Sequence, residues 1–405
     1  MIVFLAFIIQ IVSVAIIASA ASIKSLVVFG DSNSDVGNGQ RWSNGPLWSE
    51  YLALGWNVSL YSFAYSGSVC DTGMFKSIAK EDRVPSLKDQ LEAYHDLNLG
   101  LNPQETVFAF WFGVQDVSEM AKRHGRKEPD FKEIAECIGQ QLRTSRKVFL
   151  IDKYLVFNVP PLGHMPYFRD SQISANKSQA AMDVNNALEK DVGNLNKHHH
   201  ALEMDYVDVH SLLRDIAIDP AVFGFENPNA SYLDTCYENT QCVLKEDDYI
   251  WWDETHFTTA FHKTIAKSVI EAESYTPKVT LTKEMEELLF VADSKFHSKT
   301  YTAPPFKGIV DEKAKQYDIE KSRPIELQQP PLEDDAADFE TLQDPSVESR
   351  HAYAGLAIFA LLIAGIIVWI KFPNLSLFVW IRNVCNVGSK HRRKFAPVRN
   401  DEEEA

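Results

Sequence analysis

The residues best placed to do chemistry are one serine and, far downstream, an aspartate and a histidine. Ser32 sits in Gly30-Asp31-Ser32-Asn33-Ser34-Asp35, directly after the apolar run SLVVFG. If that run is a buried strand, Ser32 lies just beyond its carboxyl end, where open α/β sheets present their ligands. Asp253 and His256 stand three apart in Trp251-Trp252-Asp253-Glu254-Thr255-His256-Phe257. This spacing brings both side chains to one side of a turn. The carboxylate can then accept from one ring nitrogen and fix the tautomer, leaving the other nitrogen to take a serine proton. Each residue alone also has a plainer reading. Ser and Asp are frequent in turns and at helix N-caps, and a histidine beside two tryptophans can be a satisfied core residue.

Longer runs separate these readings. GDSNSDVGN at 30–38, followed by SNGPLWSEYLA at 43–53, resembles the opening block of the GDSL or SGNH hydrolases, and residues 251–259 resemble that family's last block. The resemblance implies a three-layer α/β/α domain with a mostly parallel sheet and a serine esterase mechanism in which Ser32 attacks, His256 moves the proton and Asp253 orients His256. It implies no cofactor and no metal. In this family the oxyanion is held by the nucleophile's N–H, a glycine N–H and an asparagine amide. Ser62-Phe63-Ala64-Tyr65-Ser66-Gly67-Ser68 matches the glycine block, so the resemblance assigns donors to Ser32 and Gly67. The third block should read G-x-N-D, whereas this chain has Gly113-Val114-Gln115-Asp116, with Gln115 offering its amide one methylene further out. Losing such a donor costs about 10² to 10³ in turnover. Asn158-Val159-Pro160-Pro161-Leu162-Gly163 resembles the family's next strand and turn, which makes five ordered blocks across residues 25–270.

The wording FAYSGSVCD at 63–71 is most similar to fungal acetylesterases. It implies acetyl or short-chain acyl esters of small molecules or oligosaccharides as substrates. Two other readings stand beside it: a membrane-proximal lipase or lysophospholipase, and a catalytically weak anchored binding protein.

These residues need a frame to hold them. SLVVFG, TVFAFWFG at 106–113 and KYLVFNVP at 153–160 read as parallel core strands, rich in β-branched and aromatic residues. Residues 131–147 and 173–203 have helix-forming composition, so strands alternate with helices as in a doubly wound sheet.

Around this domain the chain divides by composition. Residues 1–20 are apolar and end in Ala18-Ser19-Ala20, which reads as a secretory signal peptide. The hydrolase domain is expected over 21–275. A stem over 276–352, rich in Pro and acidic residues, holds one short helix near Lys283–Val291 and is otherwise expected to be disordered. The uncharged run 353–370 spans about 27 Å as a helix, enough for one transmembrane helix. The basic residues after it place the tail 371–405 in the cytosol, giving a type I protein on the secretory pathway membrane or cell surface with a lumenal or extracellular catalytic domain.

The formal charge of -16 argues against nucleic-acid binding. In an oxidising lumen Cys236 pairs with Cys242, close in sequence, and Cys70 with Cys137 by elimination. Asn57, Asn176 and Asn229 head glycosylation sequons. The consecutive His198, His199 and His200 fan around a helix and suit a solvated face better than a metal.

Overall fold

An unbroken apolar run of six residues is too short for a buried helix and suits a strand covered on both faces. The computed structural model describes residues 22–322, apart from 76–82, 123–128, 170–173, 200–201, 238, 240 and 305. In it β1 (Ser25–Gly30) and β3 (Thr106–Trp111) are buried along their whole length. β4 (Lys153–Phe157) is the third expected strand. β2 (Ser59–Ser62) and β5 (Glu203–Val207) complete a five-stranded, wholly parallel sheet in the order β2-β1-β3-β4-β5.

The helices follow from this order. α1 (Trp48–Trp56) carries the chain from β1 to β2 in one direction along the sheet. α2 (Leu87–Leu97), α3 (Val114–Ala121) with α4 (Lys132–Phe149), and α5 (Ser174–His198) serve the crossovers that run the other way. Right-handed crossovers put these two sets on opposite faces. The packing agrees, because α5 lies on α4 whereas α7 (Thr259–Glu271) lies on α1. α6 (Val209–Ile218) follows β5. The chain thus has the expected α/β fold, and its strand order reverses between β1 and β3, so their carboxyl ends flank the crevice where such sheets bind ligands.

Aromatic side chains tie the later segments to that edge. Trp111 at the end of β3 packs on Phe157 (centroids 5.0 Å apart), and Phe157 on Trp48 (4.3 Å). Phe257 stacks on Trp251 (4.8 Å) and reaches Trp111 (6.5 Å), bringing the 251–257 loop to the sheet's carboxyl edge.

The domain does not stop at 275, where the change in composition put its end. The compact unit runs on to Lys321. Leu281, Leu289, Phe296 and Val310 are buried, and α8 (Ile309–Ser322) closes the segment. The Leu60 N–H of β2 donates to Lys295 O (2.9 Å) and the Ser62 N–H to Ser298 Oγ (2.8 Å). Tyr301 stacks on Phe63 with centroids 4.4 Å apart, and its N–H donates to Asn38 Oδ1 (2.7 Å). Proline and charge mask a few widely spaced apolar residues, each of which finds its own seat on the domain. The expected short helix is present as Lys283–Glu286 with a 3-10 turn to Phe290.

Both disulfides form, Cys70–Cys137 and Cys236–Cys242, with Cα atoms 6.3 and 5.3 Å apart. Asn57, Asn176 and Asn229 are exposed, as are His198 and His199; His200 lies outside the described residues. So do the expected signal peptide at 1–20, the rest of the stem at 323–352, the span at 353–370 and the tail at 371–405. Among the described residues no helix is long and apolar enough to cross a membrane.

Candidate active site

β1 ends at Gly30, in register with Trp111 of β3, and the Asp31 N–H donates to Trp111 O at 3.2 Å. The chain turns here. Asp31 Oδ1 accepts from the Asn33 N–H (3.0 Å) and the Ser34 N–H donates to Asp31 O (3.0 Å), so half-buried Ser32 rides on a tight, internally bonded turn. Among the described residues neither its hydroxyl nor its N–H has a hydrogen-bond partner.

Asp253 and His256 meet as their spacing suggests. His256 Nδ1 lies 2.7 Å from Asp253 Oδ2 and 2.9 Å from Oδ1. The N–H groups of His256 (2.7 Å) and Thr255 (2.8 Å) also donate to Asp253 Oδ1, which fixes the carboxylate before it fixes the ring. Burial would raise the Asp253 carboxyl, but the hydrogen bond and charge of His256, with these N–H groups, outweigh it and hold it below the ordinary value. An ionised carboxylate accepts, so Nδ1 carries the proton and Nε2 is left as the base.

Gly67 adopts φ +80, a left-handed conformation that costs glycine nothing, and its N–H has no partner among the described residues. Gly113, at φ +126, caps α3, and any Cβ there would stand 2.4 Å from Val159 Cγ2. Gln115 follows in the first turn of α3, but its Nε2 donates to Glu119 Oε1 at 3.1 Å. The amide assigned to the oxyanion is therefore engaged along its own helix.

Several supports were not apparent from sequence. Asp35 is fully buried and gathers the N–H groups of Gly37, Asn38, Gly39, Gln40 and Ser66 onto its two oxygens, folding the 35–40 loop beside Gly67. Gln90 exchanges hydrogen bonds with both backbone groups of Gly30 (3.0 and 2.9 Å) and donates to Ser68 Oγ (2.9 Å), joining the Ser32 and Gly67 loops. Asp116 Oδ1 accepts from the Cys70 N–H (2.8 Å). Burial, opposed by that bond, pushes the Asp116 carboxyl up to about 7. Burial does the same for Asp31, also to about 7, with the charge of Asp116 adding to it. Each keeps one oxygen without a partner. A buried amide partnered on every side, or a buried carboxyl, looks in sequence like any other polar residue.

At this crevice a hydroxyl, an oriented imidazole and two free N–H groups come from the turns after β1 and β2 and from the loop docked beside them. That is equipment for acyl transfer. Among the described residues no group of three or more His, Cys, Asp or Glu gathers as a metal site would require.

The chain also resembles known proteins. The GDSL-like Lipase/Acylhydrolase family profile matches residues 26–269. The thermolabile hemolysin of Vibrio parahaemolyticus is 25% identical over 62% of this chain and 64% of its own length. An acetylesterase of Hypocrea jecorina is 26% identical over 24% of this chain and 36% of its own. Both alignments thus span less than two thirds of the relative. The crystal structure of a catalytic mutant of an acetylxylan esterase from Geobacillus stearothermophilus covers 65% of this chain and 99% of its own, at 11% identity and a TM-score of 0.39.

Proposed function

This chain belongs to the GDSL-like lipase/acylhydrolase family, and from that premise we propose that it is a serine esterase working through Ser32, His256 and Asp253. The observation that carries the reading is the His256–Asp253 pair at 2.7 Å, with Nε2 unpartnered at the sheet edge where Ser32 emerges. In the proposed cycle Ser32 Oγ attacks the ester carbonyl while its proton passes to His256 Nε2. The N–H groups of Ser32 and Gly67 hold the oxyanion, the alcohol leaves with the proton, and water, activated by the same imidazole, releases the acid. Hydrolysis of p-nitrophenyl acetate by the protein beside its Ser32→Ala form tests this. Equal rates would end the reading, as would failure of a fluorophosphonate to label Ser32.

For the substrate we favour acetyl or short-chain esters on carbohydrates, on the similarity to the acetylesterase. A lipid ester is the second reading, and two observations favour it. The similarity to the hemolysin covers more of the chain. The packing of residues 276–322 onto the domain also takes away much of the spacer that would hold it off a bilayer. Turnover of acetylated xylo-oligosaccharide against lysophosphatidylcholine decides between them.

We further propose that the domain faces the lumen or cell exterior, anchored through residues 353–370. Exposed Asn57, Asn176 and Asn229 then carry glycans, while the sequon Asn374-Leu375-Ser376 in the tail beyond the anchor does not, and a loss of mass on endoglycosidase digestion, mapped to the first three sites, is the check.

A further inference from the structure

Trp42 lies flat against His256, with ring centroids 5.1 Å apart and planes 8° from parallel. It is held there from two sides. Its indole N–H donates to Ser66 Oγ (2.7 Å), beside Gly67, and the Ser66 N–H is itself fixed on Asp35 Oδ2 (2.7 Å). The neighbouring Arg41 grips buried Glu50 with both terminal nitrogens (2.7 and 3.0 Å) and donates to the carbonyls of Gly45 (2.9 Å) and Val36 (3.2 Å). A bidentate Arg–carboxylate fork is directional, so the loop that carries the indole has little freedom to swing.

The contacts of the imidazole show what this achieves. Asp253 holds the Nδ1 edge, but coupled rotation about χ1 and χ2 can keep that contact while the plane of the ring turns. On the triad reading, such a turn carries Nε2 out of line with Ser32. A rigid surface against the ring's face removes that freedom. Once Nε2 has taken the serine proton, the ring is a cation lying on the negative face of an indole, an attraction that is absent while the ring is neutral.

We propose that Trp42 is a positioning residue of this site: it sets the plane of His256 and favours the protonated ring that forms in the transition state. The proposal rests on the triad reading, and Ser32→Ala is carried as a separate arm.

The test uses the full-length, detergent-solubilised protein with p-nitrophenyl acetate. Trp42→Leu fills the space without a ring face and is expected to lower kcat about 10- to 100-fold with KM nearly unchanged, as loss of an interaction made only in the transition state requires. Trp42→Phe restores a face and should recover most of that loss. Fluorinated tryptophans placed at position 42 keep the shape and the N–H while draining the negative face, so kcat should fall stepwise with fluorine number even if the leucine variant does not fold. Equal losses in Trp42→Leu and Trp42→Phe, or a kcat indifferent to fluorination, overturn the proposal and leave the triad standing. A Ser32→Ala protein as active as the parent overturns the triad itself.

Discussion

Gln115 Nε2 donates to Glu119 Oε1, one helical turn further along α3, instead of standing free at the crevice. The pair is an ordinary i, i+4 contact that any exposed helix could make. Gln115→Ala should therefore cost less than about tenfold in kcat, well short of the 10² to 10³ expected for a working oxyanion donor. Steady-state kinetics on a chromogenic acetate ester reads this directly. A hundredfold loss would show that the amide leaves Glu119 for the oxyanion during turnover.

Asp253→Asn keeps the shape of the carboxylate but can offer an N–H to His256 Nδ1. The proton then moves to Nε2 and the base is lost. A fall in kcat of about 10⁴ is expected, with a thermal midpoint close to the parent's. Burst labelling by a fluorophosphonate should slow in proportion.

The raised carboxyls of Asp31 and Asp116 make a pH prediction. Each holds its proton up to about 7 when folded, against 3.8 as the ordinary value. Between those limits the folded chain binds more protons than the unfolded one. Their contribution to stability is thus complete below 3.8, is lost as pH rises through about 7, and is level above. Asp116→Asn preserves the acceptor for the Cys70 N–H and does not titrate. Its thermal midpoint relative to the parent should rise by several degrees between about pH 5 and pH 8. A pH-independent difference would mean that the carboxyl is already ionised at the acid end.

The two disulfides should differ in worth. Cys70–Cys137 closes 67 residues and Cys236–Cys242 closes 6. On loop-closure entropy the first contributes about 4 kcal/mol and the second about 2 kcal/mol. The Cys70/Cys137 double-serine variant should therefore unfold at a lower denaturant midpoint than the Cys236/Cys242 one.

Ending the protein after 322 should leave a folded domain, whereas ending it after 275 removes Leu281, Leu289, Phe296 and Val310 from their seats. At roughly 1.5 to 3 kcal/mol for each buried apolar side chain, the sum rivals the whole net stability of a domain. Far-UV dichroism of the soluble fraction distinguishes the two products.

What sequence could show followed from how each signal is written. Continuous apolar runs announced β1, β3 and β4, and the blocks around Ser32, Gly67 and Asp253 announced the crevice. β2 and β5 interleave polar, partly exposed residues with buried ones, so they carry no such run. The turn of Gln115 toward Glu119 is a choice of rotamer, which residue type does not set. Trp42 reaches His256 only because Asp35 and Arg41 fold its loop back, a route that no local spacing records.

β2 lies at the margin of the sheet, and Lys295 and Ser298 occupy hydrogen-bonding groups on its open side. An uncovered margin is a template on which another chain can add a strand. A protease that cut between the domain and this covering segment would therefore do more than loosen the fold. It would leave a molecule able to recruit its own copies, and self-association would be the mark of a nicked protein.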